Sequence, residues 1–196
     1  MPGLSPAAPL RQTIASGLRG AFRLARGRVE GLLLIEATPE AVRRSFAAVL
    51  LCLPAFVALK LLSWAGSPPA AGLARSVAAE LIGYVVAWAG FALASLPLAE
   101  AQGRRAEWLH FIAAWNWANV VQYLVLLVLT VPAAFGLPEV LARGLGLAAL
   151  GYALWLEWFV ARVALHIPGG RAIGFVLLDL AIGIFVGGFV AQLVGG

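Results

Sequence analysis

Five stretches of the chain, about 46–64, 74–96, 108–131, 145–165 and 172–194, are apolar at nearly every position. A helix needs about 20 such residues to cross the roughly 30 Å hydrocarbon core of a bilayer, so each stretch predicts a membrane-spanning helix. Their ends carry breakers: Pro68-Pro69 after the first, Pro97 after the second, Pro132 and Pro138 around the third connection, and Pro168-Gly169-Gly170 before the last. The connections are short, which predicts antiparallel hairpins between sequence neighbours. Pro54 predicts a kink in the first span.

The N-terminal region reads differently. Leu10, Ile14, Leu18, Phe22, Ala25 and Val29 recur at helical spacing, with Arg11, Arg19, Arg23 and Arg26 elsewhere on the wheel. Such a helix suits the interface of a membrane, with Arg19, Arg23 and Arg26 against anionic lipid; it equally suits the underside of a helix bundle. Thr38-Pro39-Glu40 reads as a second helix start, with a cap, a proline at the first position and an acid at the positive end of the dipole. The expected fold is an all-α polytopic membrane protein. It has an N-terminal segment over residues 1–45 with an amphipathic interfacial helix, and a five-helix transmembrane bundle over 46–196.

Composition supports the bilayer as solvent. The chain is 62% hydrophobic and 12% charged, with a mean hydropathy of +0.94. A water-soluble domain of this size could not hide so much apolar surface. The net charge of +5 raises the question of nucleic acid, and the positions of the cations answer it. Arg11, Arg19, Arg23, Arg26, Arg28, Arg43, Arg44, Arg104, Arg105, Arg162 and Arg171 fall on one side of the expected spans, against Arg75, Arg143 and Lys60 on the other. That is an orientation signal and not a nucleic-acid patch. It predicts a cytoplasmic N-terminus and a periplasmic C-terminus. Arginine far outnumbers lysine, which reads as the codon bias of a GC-rich bacterium, and the expected location is the inner membrane. The long charged stretch before the first apolar run is unlike a cleavable signal. Trp64 and Trp108 stand at span ends as interfacial anchors do. Cys52, the single cysteine, reads as a small buried hydrophobe.

The third span holds the chemistry. In AAWNWANVVQYL, residues 113–124, a wheel places Trp108, Trp115, Asn116, Asn119, Gln122 and Tyr123 on one arc of about 120°. Trp117 falls outside it and faces lipid or another neighbour. Amides are not presented to hydrocarbon, so the arc predicts the protein interior. Glu157 lies in the fourth span between Ala153 and Ala161. Asp179 lies in the fifth, followed by Gly183 and Gly187 in a small-xxx-small pattern that predicts close helix contact. Counted from the span ends, Asn116, Glu157 and Asp179 sit at one depth, about 12–14 Å in, with Arg162 able to reach Asp179. Two readings of this layer stand side by side: hydrogen-bonded glue between helices, or a site for a ligand, a proton or an ion, with Glu157 or Asp179 as a protonated donor.

Other signals fail. His110 and His166 lack metal-ligand spacing, the serines lack His-acid partners, and Gly144-x-Gly146-x-x-Ala149 has no strand before it and no acid after it. Glu80 reads as an interfacial residue near Arg75. No catalytic residue, metal site or cofactor is expected, and the chain reads as a non-enzyme.

Five spans, a cytoplasmic N-terminal segment of about 45 residues and an extracytoplasmic C-terminus resemble the Yip1-domain family of polytopic membrane proteins. The stretch LRGAFRLARGRVEGLLLIEATPEAVRRSFAAVLLCLPAFVAL is similar to the opening of alphaproteobacterial membrane proteins of unassigned role. The resemblance implies a non-enzymatic membrane factor and carries over no functional residue. The leading expectation is an inner-membrane protein that organises lipid or partner proteins, acting on membrane lipids together with partner membrane proteins or further copies of itself. The competing expectation is a small solute, ion or proton transporter built on the buried polar layer.

Overall fold

The computed structural model describes residues 10–195, all of whose regular structure is helical. In chain order these are α1 (Leu10–Leu24), a short 3-10 helix (Val29–Leu34), α2 (Pro39–Ser45), α3 (Ala47–Ala65), α4 (Leu73–Ala101), α5 (Trp108–Ala134), α6 (Glu139–Ala164) and α7 (Gly169–Gly195). Among the described residues, five units are long and apolar enough to cross a membrane, the first being α2 and α3 taken together over Pro39–Ala65. The protein is an integral membrane protein with an all-α polytopic fold.

The start of α2 follows its local chemistry. The Thr38 hydroxyl accepts from the Ala41 amide at 3.1 Å, and Pro39 occupies the first turn. Glu40 pairs with both Arg43 and Arg44 at 2.7 Å. The expected stops at Pro97 and Pro132 are wrong: both lie inside helices, near the C-terminal ends of α4 and α5. A membrane helix tolerates proline where neighbouring groups satisfy the freed backbone. α6 likewise begins before the apolar run, at Glu139, where an acid at the positive end of the dipole pairs with Arg143 one turn on. α4 to α7 are 26 to 29 residues long, or about 40 Å at 1.5 Å per residue, longer than the hydrocarbon they cross.

Two expectations about packing fail. Consecutive helices do not all form hairpins: α3 packs on α5 and α4 packs on α7, so the α3–α4 neighbours are held apart. α5 lies at the centre, against α1, α2, α3 and α6, and touches α4 more lightly. α1 is held by the bundle, but not by the face that its apolar spacing predicts. It packs along the flank of α5 and α6, with Gly17 under the indole of Trp117 and the Ala25 carbonyl accepting from the Tyr152 hydroxyl at 2.9 Å. Tyr152 is 12 residues before the end of α6, so α1 reaches about 18 Å along that helix. The docked face is Gly17, Gly20, Ala21 and Leu24. Ile14, Leu18 and Ala25 are half-buried at its edge, while Leu10, Phe22 and Val29 are exposed. Small residues won the contact because backbones can approach where no side chain intervenes. Arg19, Arg23 and Arg26 remain on the exposed face.

The packed core sits toward the α1 end. Phe91 of α4, Phe111 and Trp115 of α5 and Phe175 of α7 interlock there, with Phe111 edge-on to Phe175 at 5.2 Å and Phe91 stacked on Trp115 at 4.3 Å. Ala21, Leu24, Leu32, Ile35 and Val42 of the N-terminal segment belong to the same core. Toward the other end the bundle loosens. Large apolar side chains such as Val128, Leu147, Ile184 and Phe185 face outward, as they would in lipid.

A candidate cation site in the membrane

Because α3 and α4 stand apart, a cleft of about 410 Å³ opens between α3, α4, α5 and α7. Aromatic side chains form its walls: Phe56 from α3, Tyr84 and Trp88 from α4, Trp115 and Tyr123 from α5. They touch one another in sequence, Phe56 to Tyr84 at 4.5 Å, Tyr84 to Trp88 at 5.4 Å and Trp88 to Trp115 at 5.5 Å between ring centroids. The Tyr84 hydroxyl donates to the Val49 carbonyl at 2.8 Å and tethers α4 to α3 across the gap. Asp179 of α7 joins this lining, with Asn119 beside it among the polar groups.

Lys60 and Glu80 form an ion pair of 2.8 Å at the far-end side of the cleft. This corrects the expectation that Glu80 belongs with Arg75. The Lys60 ammonium also lies 5.7 Å from the centroid of the Phe56 ring, so one aromatic wall already receives a cation. Gly183 and Gly187 line the α7 wall. Their expected role as a close helix contact is overturned, since a Cβ at either would meet nothing within 4 Å. They provide room instead. The helix contact lies at Gly83, where a Cβ would come within 2.6 Å of Val190.

The structure divides the expected polar layer. Asn116 is wholly buried and spent on packing: its Oδ1 accepts from Trp88 Nε1 at 2.7 Å and its Nδ2 donates to Ser45 Oγ at 2.8 Å, joining α2, α4 and α5. Gln122 donates to the Ala153 carbonyl at 2.7 Å and holds α5 to α6. Both are glue. Asn119 turns its amide back to the Trp115 carbonyl at 3.0 Å while lining the cleft, and Tyr123 lines it with its ring. Asp179 faces the same space. Glu157 is not in the lining. It is 3% exposed, and its Oε1 has no hydrogen-bond partner.

Arg162, able by its position to reach Asp179, instead stacks on Trp158 of its own helix at 5.5 Å. Among the described residues no ion pair involves Asp179 or Glu157. Trp117 meets a neighbour rather than lipid, being 1% exposed under α1. His110 donates from Nε2 to the Leu32 carbonyl at 3.1 Å and fastens the 3-10 helix to α5. Among the described residues no group of three His, Cys, Asp or Glu could hold a metal.

Sequence reasoning missed Phe56, Lys60, Glu80, Tyr84 and Trp88 as a constellation. A signal was present. Glu80, Tyr84 and Trp88 recur at four-residue steps on one face of α4, and Phe56 and Lys60 do the same on α3. No family model, curated protein or solved structure matches the chain.

Proposed function

We propose that this integral membrane protein binds a small organic cation in the α3–α4–α5–α7 cleft, as the substrate site of a non-enzymatic carrier. The observation that carries the reading is Asp179: a carboxyl without a cation partner, set in an aromatic-lined cleft. An acid in a membrane span is costly to keep and marks a site by default. Aromatic faces attract cations most strongly where water is scarce, and the volume lies within the range of small-molecule sites, about 300–1,000 Å³. Lys60 is the cation lining the cleft, and Glu80 neutralises it. The site therefore has one negative charge to offer. The excess of arginine at the α1 end supports an inner-membrane orientation with that end in the cytoplasm, so the Lys60–Glu80 end of the cleft faces the periplasm.

Isothermal titration of the purified protein with tetraethylammonium tests the proposal. Two unit charges about 4 Å apart interact by about 4 kcal/mol at an effective dielectric of 20, a gain that desolvation reduces. Asp179→Asn should weaken binding at least about tenfold, or 1.4 kcal/mol. Equal affinity in the variant, or no binding by the wild type at millimolar probe, would refute the site. Flux of the same probe into reconstituted vesicles then separates a carrier from a receptor.

A second reading rests on α1. Its exposed Arg19, Arg23 and Arg26 form a basic face suited to anionic lipid or an acidic partner, which supports the lipid-organising role that the resemblance implies. The two activities use different surfaces, and vesicle binding by an Arg19, Arg23 and Arg26 triple alanine variant tests this one independently.

A further inference from the structure

Close approaches along α4 and α7 fix their register, and with it the length of the cleft. A Cβ at Gly83 would come within 2.6 Å of Val190, one at Gly90 within 3.6 Å of Ile182, and one at Gly174 within 3.9 Å of Leu98. The two helices therefore run antiparallel and side by side. By that pairing Asp179 is level with Leu93 of α4, about 20 Å along the axis from Glu80 at 1.5 Å per residue. Both acids line the same cleft, so the cleft is a long slot with a carboxyl near each end.

The two ends differ. Beneath Asp179, toward the α1 end, Phe175 meets Phe111 at 5.2 Å and Phe91 stacks on Trp115 at 4.3 Å, so the slot has a closed floor. At the far end Glu80 is taken by Lys60 at 2.8 Å. The walls between are aromatic. Trp88 and Tyr84 stand about 8 and 14 Å from the level of Asp179, and Phe56 faces Tyr84 at 4.5 Å. A compact cation at Asp179 occupies the floor and leaves those walls bare. The length calls for a chain, and the walls call for an apolar one. The side of the slot supplies its route. Ile184 belongs to the lining and is 74% exposed, between Gly183 and Gly187, where no side chain raises the α7 wall. Ile184 is level with Trp88, near the middle of α4, so this opening gives onto hydrocarbon. A ligand that enters there is already dissolved in the bilayer.

We infer that the ligand is a cationic amphiphile with a single alkyl chain, its head against Asp179 and its chain laid along the aromatic walls toward the Lys60–Glu80 end. This rests on the cation reading of the cleft and names the class of cation. Trp115 and Trp88 are the lining rings nearest the head, and rings hold a cation most strongly where water is scarce. The chain buries its methylenes against Tyr123, Tyr84 and Phe56. A second cation at the chain's other end would meet the Lys60 ammonium, with Glu80 already paired. The slot therefore selects one charge and one tail.

A series of alkyltriethylammonium ions tests this, because each member keeps the head of tetraethylammonium and lengthens one arm. The intact protein in lipid nanodiscs is loaded with radiolabelled tetraethylammonium, and the butyl, hexyl, octyl and decyl ions compete for it. Free aqueous concentrations are read by equilibrium dialysis against protein-free discs. In the wild type, affinity should rise about two- to fourfold per added methylene. Gly187→Leu plugs the slot about 12 Å from the level of Asp179, at a position where a Cβ meets nothing within 4 Å. It should bind tetraethylammonium within about twofold of the wild type and the decyl ion at least about tenfold more weakly. The decane-bridged bis-triethylammonium dication should bind the wild type at least about tenfold more weakly than the decyl ion. Affinity independent of chain length, a decyl ion indifferent to Gly187→Leu, or a dication as tight as the decyl ion overturns the amphiphile and leaves the cation site standing. A wild type that holds no displaceable tetraethylammonium overturns the site itself.

Discussion

Gly183→Leu fills the cleft without touching its charges. A Cβ at Gly183 would meet no atom within 4 Å, and Gly187, one turn on, is equally free. The added side chain grows into the 410 Å³ of the cleft. Leucine is a better helix former than glycine by about 0.8 kcal/mol, so the variant should be unchanged in stability or up to about 1 kcal/mol more stable. Its affinity for tetraethylammonium should fall at least about tenfold, since the ligand and the leucine compete for one volume. Gly17→Ala is the control of opposite sign. A Cβ there would lie 2.4 Å from Trp117 Cε2 and 2.5 Å from its Nε1, inside a ring that is 1% exposed. Overpacking of that kind costs about 1–3 kcal/mol. Stability is read by unfolding in mixed micelles at rising dodecyl sulfate, affinity by calorimetry. If Gly183→Leu binds like the wild type, the ligand lies elsewhere. If it is destabilised by more than about 1 kcal/mol, the glycine face packs on a second chain and the space is an interface.

Two further predictions separate packing from function. Asn116→Ala removes the bonds to Trp88 and Ser45; interhelical hydrogen bonds in membranes average about 0.6 kcal/mol each, and an orphaned indole N–H adds about 1–3 kcal/mol. The variant should lose about 2–4 kcal/mol in the same unfolding assay and keep its cation affinity within a few-fold; a stable variant that no longer binds would make Asn116 part of the site. His166→Gly should stabilise the protein by about 1 kcal/mol, because His166 ends α6 with φ +52° while Ile167 donates back to the Arg162 carbonyl, a closure that glycine makes more cheaply. A lowered unfolding midpoint would mean that the imidazole does more than hold the turn.

The spans were legible because hydrocarbon imposes a length and a polarity on any helix that crosses it. Which helices pack together was not. Consecutive spans make hairpins where nothing intervenes, yet Tyr84, Phe56 and the Lys60–Glu80 pair bridge α3 and α4 at a distance while α5 and α7 take the close contacts. Apolar composition cannot announce that, since every face of these helices is apolar. The α1 face was misread for the opposite reason: hydrophobicity ranks Leu10 and Phe22 above Gly17 and Gly20, whereas close approach under Trp117 selects the glycines.

The polar arc of α5 failed as a single face for a reason that also separates site from scaffold. A helix packed on several others has no one interior side, so an arc of about 120° spans several interfaces. Asn116 faces α2 and α4, Gln122 faces α6, and Asn119 and Tyr123 face the cleft. A count of residues from the span ends gives depth, and depth says nothing of direction. What distinguishes the groups is how fully each is satisfied. Amides have both donors and acceptors and can close a local network, as Asn116 does between an indole and a hydroxyl. An ionised carboxylate only accepts, and a neutral one needs both a proton and an acceptor for it, so a carboxyl left without either gains nothing for the fold. In a bundle where the amides are used and the two carboxyls are not, packing explains the amides. The carboxyls are what packing leaves unexplained, and the cation proposal rests on the one that lines the cleft.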